Sequence, residues 1–132
     1  MRWIGALVFM LWAATCTAQP VIPLTTATIP VTLTAATTIQ LVGASVAPQS
    51  LYVTGINFVA SGAGTVQLVY GTGTNCGTGT GNLTGAITVA VGTVIAYGTG
   101  TGIILIVPQG NALCATTGTG AAGGGSLAYA RF

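Results

Sequence analysis

Beyond residue 30 the chain alternates short apolar stretches with clusters of Gly and Thr. The apolar stretches are built from Val, Ile, Leu and Tyr rather than from strong helix formers. In Val66, Leu68 and Tyr70 one face is apolar while Thr65 and Gln67 lie opposite, the period-two signature of a half-buried strand. Ile103–Val107 is apolar on both faces, as expected of a strand covered on two sides or buried in an oligomer. This pattern predicts strands at Val31–Thr34, Thr38–Val42, Leu51–Val59, Thr65–Tyr70, Ala86–Val91, Thr93–Tyr97, Ile103–Val107, Ala112–Thr116 and Ser126–Phe132. Their even spacing with Gly-rich turns points to an all-β sandwich or barrel. No amphipathic helix is predicted after residue 18, because Gly interrupts every window and Glu and Lys are absent. The uncharged run Gly85–Val107 is long enough to cross a bilayer as a helix. Tyr97-Gly-Thr-Gly-Thr-Gly102 divides it, however, and two strands joined by a Gly/Thr loop are the better reading.

The first residues have a different pattern. Met1-Arg2 precedes the apolar run Trp3–Ala14 and the small residues Thr15-Cys16-Thr17-Ala18, the layout of a secretory signal helix cut after Ala18. The run is short of the roughly 20 residues that a spanning helix needs. Acylation of Cys16 is the competing fate, against which Thr15 is a poor match to a lipobox. The organisation expected is therefore a signal peptide at 1–18, an extended linker at 19–30 carrying Pro20, Pro23 and Pro30, and a β-sandwich domain at 31–132. Cleavage leaves Cys76 and Cys114, and an even count in an exported chain favours a disulfide over two separate buried thiols.

Charge narrows the function classes. Only 2% of residues are charged, against about 25% in ordinary soluble domains, and Asp, Glu and His are absent. Nucleic acid is a poor partner for a chain whose cationic side chains are Arg2 and Arg131 alone. General acid–base and nucleophilic catalysis lack a base, calcium lacks carboxylates, and two Cys cannot complete a zinc tetrahedron. The expectation is a protein that is no enzyme and has no cofactor or metal site. Gly71-Thr-Gly-Thr-Asn-Cys-Gly-Thr-Gly-Thr-Gly81 looks like a phosphate loop but lacks its Lys and the succeeding helix, so turn chemistry accounts for the Gly. A surface without charge repulsion invites association, so a homo-oligomer or a capsid or surface assembly is expected. Tyr52, Tyr70 and Tyr97 are the candidate surface-contact side chains.

Taken together, Gly71–Thr80 with Asn82-Leu-Thr-Gly85, then Pro108-Gln-Gly-Asn-Ala-Leu-Cys114, then the closing Tyr129-Ala-Arg-Phe132, resemble a module of tailed-bacteriophage and prophage virion structural proteins. The resemblance covers roughly residues 50 to 132. It implies a compact, jelly-roll-like β-sandwich displayed on a particle as a decoration- or fibre-like component. The signal peptide departs from that pattern and points instead to a secreted, periplasmic or cell-surface location, with the virion as the alternative. Two other functions compete: an adhesin that binds carbohydrate or surfaces through Tyr and Thr, and a small outer-membrane barrel, for which the terminal Phe132 speaks.

Overall fold

The computed structural model describes residues 26–99 and 102–132. The expected signal peptide, and the linker up to residue 25, lie outside the described residues. The described chain is mostly strand: β1 Ala27–Leu33, β2 Thr38–Val42, β3 Leu51–Ala60, β4 Gly64–Thr72, β5 Thr78–Asn82, β6 Ile87–Val89, β7 Val94–Tyr97, β8 Leu105–Val107, β9 Ala112–Thr117 and β10 Gly123–Arg131. A short 3-10 turn, Thr74–Cys76, separates β4 from β5.

The strands form two antiparallel sheets, and the pairing is nested. β1 pairs with β10 and β2 with β9. β3 takes β7 and β8 along one edge, and β4 takes β5 and β6. β10 also pairs with β3, and β9 with β4, giving a first sheet ordered β1-β10-β3-β7 and a second ordered β2-β9-β4-β5. First strand with last, and second with second-last, wrapped over two sheets, is the jelly-roll arrangement of a β-sandwich. The expected fold class is the one observed.

The core lies between the sheets. Leu51, Val53, Val107, Leu113 and Leu127 are fully buried there, each worth about 1.5–3 kcal/mol relative to exposure. A bulge explains why simple alternation along β3 fails. Val53 pairs with Tyr129 and Gly55 with Ala128, so Thr54 is an extra residue. Leu51 and Val53 are buried before it, and Phe58 and Ala60 after it, because one inserted residue exchanges the two faces.

Three expectations shift. β1 begins at Ala27, opposite Tyr129, so Ala27–Pro30 belong to a strand rather than to the linker. Pro30 is tolerated because β1 is an edge strand, where its missing N–H breaks no ladder. β5 lies in Gly/Thr sequence read as turn, and pairs with β4 from Val69↔Asn82 to Thr72↔Thr78. The strand is shorter than expected, Leu105–Val107, and Ile103–Val107 is unevenly covered within this chain: Val107 is fully buried and Ile104 and Leu105 pack partly against the core, whereas Ile103 and Ile106 are about half exposed.

Glycine in β10 has a packing reason. A Cβ on Gly125 would sit 1.9 Å from the Asn57 carbonyl oxygen, whereas one on Gly124 would meet nothing nearer than the Val31 carbonyl at 3.4 Å. Gly125→Ala should therefore destabilise by about 3 kcal/mol or more, as overpacking against backbone does. Gly124→Ala should stay within about 0.5 kcal/mol of wild type. Denaturant midpoints of the two variants check this, and equal losses would refute the packing argument.

Candidate functional site

Cys76 and Cys114 form a disulfide, with Cα atoms 6.2 Å apart across a sequence separation of 38. Cys114 sits in β9 and Cys76 ends the 3-10 turn after β4. Asn75 and Cys76 both adopt positive φ, which curls that turn back over the outer face of the second sheet. There Cys76, Cys114, Val69 and Ala112 form a small buried cluster of their own. The Asn75 side-chain oxygen accepts from the Gln40 N–H on edge strand β2 at 3.2 Å, and the Thr80 hydroxyl donates to the Cys76 carbonyl. β9 is thus buried on both faces. A disulfide fits an oxidising, non-cytoplasmic compartment. No helix among the described residues is long and apolar enough to cross a membrane.

The candidate tyrosines do not converge. Tyr52, in β3, leans on Phe132 with ring centroids 5.4 Å apart. Tyr97, about half exposed, ends β7 opposite Ile56. Tyr70 belongs to the second sheet and packs partly against the core, lying directly over Gly81, where a Cβ would meet its ring at 2.3 Å. It covers the glycine of its partner strand, as aromatic residues do in weak strands.

Two other features were not signalled by any motif. The outer face of the first sheet is an uncharged lattice with rows Thr32/Gly124/Val59/Val94 and Pro30/Ser126/Asn57/Ala96 across four strands. Val94 and Val59 are 61% and 46% exposed on it, more than their hydrophobicity would favour. Behind this face, between the sheets, lies an apolar chamber of about 300 Å³, walled by residues of both sheets.

Electrostatics are sparse. Arg131 is the only charged side chain among the described residues. It donates to the Gly43 carbonyl at 3.1 Å and lies 5.6 Å from the Tyr129 ring centroid. Comparison with protein-family models, with curated proteins and with solved structures gives no match.

The disulfide and the missing acidic and imidazole groups each make a stability prediction. In the chain-entropy account, Cys114→Ala should lower stability by about 3–4 kcal/mol, read as a shifted denaturant midpoint, and reductant should lower wild type to match. An unshifted wild type under reductant would contradict the account. Stability should also be flat from about pH 5 to 7, because its slope is set by proton uptake on unfolding and the chain has no Asp, Glu or His. A melting temperature that moves by more than ~4 °C over that range, about 1 kcal/mol for a domain of this size, would contradict it.

Proposed function

We propose that the chain is a non-catalytic, exported structural or surface module that works by packing against copies of itself. The observation that carries this reading is the uncharged outer face of the first sheet, with Val59 and Val94 exposed beside an edge of β7 that no described strand covers. Edge strands of soluble monomers are ordinarily blunted by charge, by Pro or by cover. β1 carries Pro30, but Val94–Tyr97 carries neither Pro nor charge. A second copy laid on that edge would satisfy its backbone and bury the exposed valines together.

Within this reading, the virion decoration-like version draws support from the jelly-roll pairing, an architecture shared by capsid and lectin domains. Fold alone does not fix function, so the support is partial. The adhesin reading gains less, because Tyr52, Tyr70 and Tyr97 are divided between the two sheets and Tyr70 packs inward. The barrel reading also gains less. A membrane barrel turns its apolar set outward from one closed sheet, whereas here two sheets turn it inward.

Sedimentation of the wild type and of Val94→Lys tests self-packing. The wild type should sediment as an oligomer, and Val94→Lys as a monomer with an unchanged melting temperature, since the side chain is largely exposed. A wild type still monomeric at ~1 mM, where about 4 kcal/mol of association would register, would overturn the proposal. Location is tested by mass spectrometry of gradient-purified particles and of the exported fraction. Peptides in stoichiometry with shell proteins support the virion version; peptides beginning at Gln19, found only in the exported fraction, discard it and keep the surface module.

A further inference from the structure

The two flanks of the sandwich are closed differently. On one, the β1–β2 crossover is held to β9 by the Thr117 hydroxyl, which lies within donating distance of the Thr34 and Thr37 carbonyls. On the other, the first sheet ends in β7 and β8 and the second in β5 and β6. β6 runs into β7 through a turn in which the Thr93 N–H donates to the Ala90 carbonyl at 2.9 Å. Beyond that turn, among the described residues, no strand ladder joins the two sheets on this flank. The chamber reaches the surface there. Its wall includes Thr84 and Ile87 on the side of the second sheet and Tyr97, Ile104 and Leu105 on the side of the first, none of them fully buried. A molecule entering along this flank passes between the sheets and crosses neither of them.

We propose that the chamber is a binding site for a neutral hydrocarbon of about ten carbon atoms, entered along the flank between β6 and β7. The size follows from the volume: an apolar cavity of roughly 150 Å³ takes up benzene, and this one holds about 300 Å³, the lower bound of ligand pockets. The chemistry follows from the walls. Phe58, Ile95 and Leu127 of the first sheet face Leu41, Val66 and Leu68 of the second. Asn57 and Ser126 turn their side chains to the outer face, and their main chains are paired in the β10–β3–β7 ladder. The Thr84 hydroxyl accepts from the Leu68 N–H at 3.0 Å, and its carbonyl from the Gln67 amide at 2.8 Å. A carboxylate or ammonium drawn inside would give up its hydration and meet no counter-ion, whereas a hydrocarbon gains by leaving water. Val59 and Val94, the valines of the outer face, are not part of the wall, so this inference is independent of self-packing.

Equilibrium dialysis of the full chain against naphthalene tests it, with 2-naphthoate as the charged counterpart on the same ring. The expected result is one saturable site per chain, a melting temperature raised by naphthalene, and naphthoate bound at least ~10-fold more weakly. Val66→Phe and Leu41→Phe, which fill the chamber from the second sheet, should each weaken naphthalene at least ~10-fold while melting cooperatively. Val94→Lys should bind naphthalene as the wild type does. No saturable binding to the wild type, or naphthoate bound as tightly as naphthalene, would overturn the proposal with no variant needed. Undiminished binding by either cooperatively melting Phe variant, or binding lost in Val94→Lys, would place the site outside the chamber and overturn it as well.

Discussion

The last two strands occupy interior positions in both sheets: β9 lies between β2 and β4, and β10 between β1 and β3. Neither sheet can close its ladder until the C-terminal segment has arrived, so β1 to β4 are all arranged on this one segment. The segment is suited to that place by being small. Ala112, Cys114 and Ala115 in β9, and Gly123–Gly125 in β10, let neighbouring strands and the covering turn approach closely. Most contacts are consequently long-range in sequence, which by loop-closure entropy makes folding slow relative to helical domains of equal stability. The disulfide acts on the same segment. It ties β9 to the turn after β4 and narrows the unfolded ensemble where the topology is most demanding.

A chain almost free of charge must still satisfy its backbone, and Thr does much of that work. The Thr117 hydroxyl accepts from the Thr37 N–H at 3.1 Å and lies within donating distance of the Thr34 and Thr37 carbonyls. It thereby staples the β1–β2 crossover to β9 from a buried position. Thr84 accepts from the Leu68 N–H at 3.0 Å, and Thr93 from the Ala90 N–H at 3.0 Å. Asp or Asn usually serves such turns. Thr performs the role without adding charge, so the outside of the molecule stays uncharged as well as the inside.

Most strand positions were legible from alternation and turn residues, because β3, β4, β7 and β9 each carry an apolar set at period two or a solid apolar run. The rest failed for identifiable reasons. β5 is Thr-Gly-Thr-Gly-Asn and carries almost no hydrophobic signal of its own; it is a strand because Tyr70 and the disulfide turn hold it against β4. The bulge at Thr54 leaves no mark in sequence, since Thr is at home in any strand. Cys76 and Cys114 could be paired by arithmetic because the chain has no other cysteine after residue 18. The chamber could not be read at all: a cavity is what packing leaves over, and residues such as Val66 and Leu41 look identical whether a neighbour fills the space beside them or not. Tyr97 was singled out as a surface residue, yet it also lines that chamber, which only the register Ile56↔Tyr97 reveals.

The uncharged face and the chamber are two sides of the same short ladder. Along Ile56–Val59 and Val94–Tyr97, Phe58 and Ile95 turn inward to the chamber while Asn57, Val59, Val94 and Ala96 turn outward. A copy docked outside would therefore bear on the strands that wall the chamber, the ones with the least support in the first sheet, since β7 and β8 are short and edge-bound. The second sheet is fixed differently, by the disulfide on its outer face and by Thr117 at its rim. Substitutions that enter the chamber from β2 or β4 change its volume while leaving the outer face of the first sheet unaltered. Those made at Val94 alter the face and leave the chamber wall intact. That division of labour between the two sheets is what allows the outer face and the chamber to be altered separately.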